Sequence, residues 1–255
     1  MFQQIVSNIT AFKRYRNDQY GIIQRFLNEG TNWNEHLKNT KQYILGSLPN
    51  KHIKSIAILG SGWLLDVPVE DILKKTDKLV LFDIYHPKQI LNKYKNNPQI
   101  EFIKTDLTNN LINVAKKSKS LTGFLQLFKT TKPISFLNEY DYVVSLNLLN
   151  QLDILFCDLL KRKFSIEDKE LIGVREKIQT LHIKSLPLAK SCLITDYQEI
   201  NYVGTINDSN KKPKNLIYAD LSNFKNRKEW LWVFDTRKTY RHKINTTFKV
   251  LAVTI

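Results

Sequence analysis

Apolar residues near the start of the chain recur at three- and four-residue intervals: Phe12, Tyr15, Ile22, Ile23, Phe26 and Leu27. That spacing predicts a helix stopping at Gly30, followed by a second helix from Asn34 to Leu45. Gly46-Ser47-Leu48-Pro49-Asn50 then reads as a connector. From His52 the pattern changes to short apolar runs, Ile53–Leu59, Lys78–Ile84, Ile100–Lys104, Tyr140–Leu146 and Ser191–Asp196. Val69–Lys75 and Lys88–Tyr94 lie between the first three runs, each long enough for a short crossover helix. Buried strands alternating with helices imply a parallel sheet covered on both faces.

Leu107–Asn138 is longer than an ordinary connection. It carries Lys116, Lys117, Lys119, Lys129 and Lys132 without an acidic residue, and is expected to hold a helix plus an exposed insertion. Ser165–Leu186 reads as the helix entering the fifth strand. Trp230–Phe234 and Thr246–Ile255 are β-prone runs separated by a polar turn containing Arg237, Lys238, Arg241 and Lys243, so an antiparallel pair is expected to close the sheet. The expected division is a helical segment over 1–50, a candidate lid, and an α/β domain over 51–255.

The composition excludes several classes. With 255 residues, 42% hydrophobic and 25% charged, the chain is neither disordered, collagen-like nor a coiled coil. A net charge of +15 favours an anionic partner. However, 31 of the 39 basic residues are Lys and 8 are Arg, and there are 23 Asn. An AT-rich coding sequence gives the same bias, and forked phosphate recognition favours Arg. A nucleic-acid partner therefore rests on charge alone. Cys157 and Cys192 each sit in an apolar run, the setting of a packed free thiol. The histidines have no metal-ligand spacing. No apolar stretch approaches a membrane span, and no leader is expected, so the chain is expected in the cytoplasm.

Three strand ends carry candidate chemistry. Ile58-Leu59-Gly60-Ser61-Gly62 follows the first apolar run, and glycines there permit a tight turn and close approach of a ligand. Asp83 ends Leu79-Val80-Leu81-Phe82-Asp83, and a carboxylate there can accept from both ribose hydroxyls of an adenosine-containing ligand. Asp106 follows the third run. Each also fits a plain structural role: a tight turn for the glycines, a helix cap for either acid. Their repetition at successive strand ends points to a nucleoside-binding crevice.

With these residues in place, Lys51–Ile255 resembles the class I S-adenosylmethionine-dependent methyltransferases. The resemblance implies a Rossmann-like three-layer sandwich whose seven-stranded, mostly parallel sheet ends in a reversed C-terminal hairpin. It implies S-adenosylmethionine as cofactor, with Gly60, Ser61 and Gly62 beside its methionine part, Asp83 at the ribose and Asp106 at the adenine. Asn147, in Val143-Val144-Ser145-Leu146-Asn147, matches the family position lining the cofactor and facing the substrate. There are two departures. Gly62 is followed by Trp63-Leu64-Leu65-Asp66 where a third glycine is usual, and Asn147-Leu148-Leu149-Asn150-Gln151 is not the Asp/Asn-Pro-Pro-aromatic signature of adenine- or glutamine-methylating enzymes.

No catalytic acid or base is assigned. Asn147, Asn150 and Gln151 suit orienting a nucleophile, or capping a helix start. Asp196 suits a base or an amine anchor, whereas His182 reads as a packed core histidine. Lys13-Arg14-Tyr15-Arg16 suits a lid or a solvated helix face. Lys211-Lys212-Pro213-Lys214, with Lys225, Arg227 and Lys228, suits a phosphate backbone or a plain surface loop. The implied activity is methyl transfer to an unidentified acceptor, a small molecule or protein. Alternatives are a non-catalytic adenosyl-binding interaction protein or an NAD(P)-dependent oxidoreductase; the latter leaves the closing hairpin unexplained.

Overall fold

A computed structural model describes residues 9–206 and 212–255. Lys211 and the side chains of Lys13 and Arg14 lie outside the described residues. The strands are β1 (Ile53–Leu59), β2 (Thr76–Asp83), β3 (Ile100–Lys104), β4 (Tyr142–Leu146), β5 (Ser191–Tyr202), β6 (Lys214–Asn215), β7 (Lys225–Asp235) and β8 (Asn245–Thr254). They form one sheet in the order β3-β2-β1-β4-β5-β8-β7, with the two-residue β6 paired to β5 beside this path. The five strands from β3 to β5 pair in parallel. β8 runs antiparallel to both β5 and β7. The fold is therefore Rossmann-like, with the reversed terminal hairpin that the resemblance implies.

Alternation along the strands divides the core between two faces. One face presents Ala57, Leu59, Val80, Phe82, Val143 and Leu193. It is covered by α5 (Leu111–Lys117), α6 (Leu121–Lys129), α7 (Ile154–Phe164) and α8 (Ile172–Ser185). The other presents Ile56, Ile58, Leu79, Leu81, Val144 and Ile194. It lies under α2 (Asn34–Ser47), α3 (Val69–Leu73) and α4 (Lys88–Tyr94), while α1 (Ile9–Glu29) leads into α2 through a single 3-10 turn, Gly30–Trp33.

Two expectations are corrected. The Lys-rich stretch after β3 is not a helix plus exposed insertion: its second helix, α6, buries Phe124 and Phe128, whose rings pack against Phe156 of α7. Apolar burial on one helical face overrides the high charge of the linking residues. The helix read over Ser165–Leu186 begins as a 3-10 turn at Asp168–Leu171, and α8 proper starts at Ile172. Glu167 caps that turn reciprocally with Glu170.

The residues before β1 are held to the closing hairpin. Trp33 stacks on Phe234 at 5.6 Å, meets Trp232 edge-on at 4.8 Å, and donates its indole N–H to the Phe234 carbonyl. The His36 ring lies parallel to Trp232 at 3.9 Å and accepts at Nδ1 from the Trp230 indole. Burial lowers its pKa to about 3, which keeps the imidazole neutral. At the end of α1, Glu29 accepts from the backbone N–H groups of Thr236 and Arg237 and from the Thr236 hydroxyl. Burial favours protonating Glu29, but these bonds outweigh it and hold the pKa below the usual range.

Candidate active site

The carboxyl ends of the parallel strands bring the candidate residues to one edge. Strand register aligns Leu59 with Phe82 and with Ser145, Phe82 with Ile103, and Leu146 with Ile194. Gly60, Asp83 and Asn147 therefore stand side by side where β1, β2 and β4 end, Asp196 lies beside them within β5, and Asp106 follows two residues after β3. This is the edge where open α/β sheets bind ligands, and β1 and β4 flank the point where strand order reverses.

The glycine turn is built by its neighbours. Gly60 has φ +81°, and a Cβ there would stand 2.5 Å from the Leu146 carbonyl oxygen. Close passage of the β4 end thus requires glycine independently of any ligand. Gly62 has φ +43°, and the atoms facing its missing Cβ belong to the Gln19 amide of α1 at 3.2–3.3 Å. Trp63, where a further glycine is usual, donates its indole N–H to the Gln19 carbonyl at 2.7 Å. The bulky residue therefore anchors α1 across the loop.

Asp83 is buried. Its Oδ2 accepts from the Gly62 N–H at 2.8 Å and its Oδ1 from the Tyr85 N–H at 3.0 Å. Burial raises its pKa, opposed by those bonds and by His86. His86 bridges toward Ser61 Oγ at 3.5 Å and the Ile103 carbonyl at 3.2 Å, and burial lowers its pKa against the pull of Asp83. Asp106 takes the Thr108 N–H at 2.8 Å and the Thr108 hydroxyl at 2.6 Å, both on Oδ1. Its pKa is raised by burial. Neither acid caps a helix: α4 starts after Pro87 and α5 after Asn110, and the bonds of Asp83 and Asp106 hold the loops that follow β1, β2 and β3. Each oxygen of Asp83 accepts one of these bonds, and a carboxylate oxygen has a second lone pair for a ligand.

A second carboxylate pair lies across β1, β4 and β5. Asn147, in the left-handed region at φ +46°, donates Nδ2 to Asp66 Oδ2 at 2.9 Å. Asn150 donates Nδ2 toward Asp196 Oδ2 at 3.5 Å. Burial raises Asp66 to about 6, against Lys41 and Asn147, which favour the anion. Burial, then the charge of Asp66, raises Asp196 to about 7. A break in the β5–β8 register falls between Asp196 and Gln198, the kind of irregularity that re-aims a side chain at a site. Gln151 instead donates to the Asn147 carbonyl at the turn itself.

His182 is placed as expected for a core residue. It is buried and hydrogen-bonded through Nε2 to Ser145 Oγ at 2.8 Å, with its pKa lowered to about 4 by burial. Lys212, Lys214, Lys225, Arg227 and Lys228 are exposed, and Arg227 pairs with Glu229. Sequence reasoning gave no role to Asp66, Gln19 or His86. Gln19 carries no motif. Asp66 carried a faint signal, as the one acid in the loop after Gly62.

No family model matches the chain, and no curated protein matches it in sequence. Among solved structures, it is similar to the N-methyltransferase NodS from Bradyrhizobium japonicum WM9, at 10% identity over 89% of this chain and 98% of that one, with a TM-score of 0.42. A SAM-dependent methyltransferase from Aquifex aeolicus aligns at 12% identity over 84% and 89% of the two chains, with a TM-score of 0.35. Phosphoethanolamine N-methyltransferase 1 from Haemonchus contortus aligns at 11% identity over 94% of this chain and 49% of that one, with a TM-score of 0.37. Likeness at this level does not assign an activity.

Proposed function

We propose that this chain is a class I methyltransferase that uses S-adenosylmethionine. The observation that carries the reading is the convergence of Gly60, Asp83, Asp106 and Asn147 on one edge of a sheet ordered β3-β2-β1-β4-β5 and closed by a reversed hairpin. The residues suit the cofactor in three respects. One buried and one half-buried carboxylate, Asp83 and Asp106, stand at adjacent strand ends, the glycine turn exposes backbone, and the Gln19 Oε1 beside Gly62 is buried without a hydrogen-bond partner among the described residues. Asp83 would hold the ribose, Asp106 the adenine, and the Gly60–Gly62 turn with Asn147 the methionine end.

Bound there, the cofactor supplies a methyl group already activated by its sulfonium. The chain's contribution is to position the acceptor and exclude water. α1, tied to the loop through Gln19 and to the hairpin through Glu29, would serve as the lid. Among the described residues no helix is long and apolar enough to cross a membrane. Cys157 and Cys192 are buried free thiols, with pKa values raised by burial to about 12 and about 11, in keeping with a reducing cytoplasmic setting. Calorimetry with S-adenosylmethionine, S-adenosylhomocysteine and NAD tests the reading. Binding of the two adenosyl compounds and not NAD is expected, and preferential NAD binding overturns it.

A further inference from the structure

The polar groups left unpaired beyond the end of β4 and beside it within β5 share one chemical character. Asp196 is 4% exposed, and its Oδ1 has no hydrogen-bond partner among the described residues. The Oδ1 atoms of Asn147 and Asn150 are likewise buried without partners, because each amide turns its NH2 toward a carboxylate, Asp66 and Asp196 respectively. Every unpaired atom of this group is an acceptor. Buried acceptors without donors are costly, and two carboxylates add negative charge to the deficit.

We propose that Asp196, Asn150, Asn147 and Asp66 form the subsite for the acceptor, and that the acceptor is an amine entering as its ammonium ion. A primary ammonium presents three N–H donors and one positive charge. A hard divalent cation is the poorer complement, since it needs oxygens converging at ~2.0–2.6 Å, whereas both amides point their nitrogens at the carboxylates. The subsite rests on the methyltransferase reading, and its place in the sheet separates it from the adenosyl part. The proposed ribose and adenine contacts lie on β2 and β3, while Asp196 lies on β5, on the other side of β1 and β4. The raised pKa values of Asp66 and Asp196 fit a site that lacks its cation. Asp196 would hold the ammonium and take one of its protons; the freed nitrogen lone pair would form the N–C bond to the methyl as the methyl–sulfur bond breaks, its electron pair staying on sulfur and S-adenosylhomocysteine leaving.

The test uses ligand-observed NMR on the full chain with S-adenosylhomocysteine present. The probes are butylamine, benzylamine and 1,4-diaminobutane, set against butanol, benzyl alcohol and 1,4-butanediol. At least one amine is expected to bind with its matched alcohol at least tenfold weaker. Asp196→Asn is expected to reduce that amine's affinity at least tenfold while leaving S-adenosylhomocysteine affinity within about twofold. Asn150→Ala, which keeps the carboxylate, should weaken the amine by a smaller factor.

The proposal is overturned by no amine binding, equal binding of amine and alcohol, unchanged amine binding in a folded Asp196→Asn protein, or stronger binding of magnesium than of any amine. Loss of S-adenosylhomocysteine affinity in Asp196→Asn would also overturn it, because the carboxylate would then belong to the methionine end of the cofactor. Failure of the wild-type chain to bind S-adenosylhomocysteine at all would instead refute the methyltransferase reading.

Discussion

Asn147 donates its side-chain amide to Asp66 across 2.9 Å, tying the turn after β4 to the loop after β1. It does so from a left-handed backbone conformation, φ +46°, which asparagine tolerates better than most residues. Asn147→Ala should lose that bond and retain the strained backbone. Urea unfolding should show a loss of about 1–2 kcal/mol, and Asn147→Gly, which relieves the strain, should lose less. Equal stability of all three proteins would contradict this account.

Gly60 and Gly62 should not respond alike. An alanine at 60 places its Cβ 2.5 Å from a backbone oxygen at φ +81°, whereas an alanine at 62 meets the end of the Gln19 side chain at φ +43°. Backbone cannot yield as a side chain can, so Gly60→Ala should cost about 2–4 kcal/mol and Gly62→Ala about 1 kcal/mol in denaturant titrations. The reverse order would show that the Leu146 carbonyl does not press on Gly60 as this geometry requires.

Asp83 carries a structural and a proposed binding role, which its variants can separate. Asp83→Ala strips the Gly62 and Tyr85 N–H groups of their acceptor, an expected loss of about 2–4 kcal/mol. Asp83→Asn keeps one carbonyl acceptor and should recover part of that stability. In calorimetry, S-adenosylhomocysteine affinity should fall at least tenfold in either variant. A folded variant with unchanged affinity would remove Asp83 from the ribose.

The pH dependence of stability follows from Asp196. Its folded pKa stands near 7, above the ordinary carboxylate value of 3.8, so the native state holds the proton more tightly than the unfolded chain. Stability from this group is therefore greatest below about pH 4 and declines as pH rises toward 7. Besides burial, the groups acting on it are Asp66 and Asn150; Asp196 in turn acts on Tyr240 of the hairpin turn, which also senses Glu199, Arg241 and Arg25. Asp196→Asn removes the ionisation. It should melt a few degrees above wild type at pH 8, with the gap narrowing at pH 5. A lower Tm than wild type at pH 8 would be inconsistent with a buried, unpaired anion.

The strands were legible because a sheet buried on both faces needs continuous apolar runs. β1 and β3 begin and end where the runs do, and β5 outlasts its run by six residues because β8 pairs along its length. α7 escaped notice. Ile154-Leu155-Phe156-Cys157 reads as readily as a strand, and only tertiary packing of Phe156 and Leu160 makes it helical. At the site, Gly60, Asp83 and Asp106 were visible as punctuation at strand ends. Gln19 and Asp66 were not, since their roles arise from contacts 44 and 81 residues away in sequence, Trp63 to Gln19 and Asn147 to Asp66. No local pattern encodes such partners.

The bond from the Trp33 indole to the Phe234 carbonyl spans 201 residues. Closing so long a loop carries a large entropic cost until the intervening sheet is in place. Whenever they are made, α1 and α2 must wait for β7 before they can dock. The parallel strands β1 to β5 all precede β7 in the chain, so the strand-end crevice can be laid down before the helices preceding β1 find the partners that fix them.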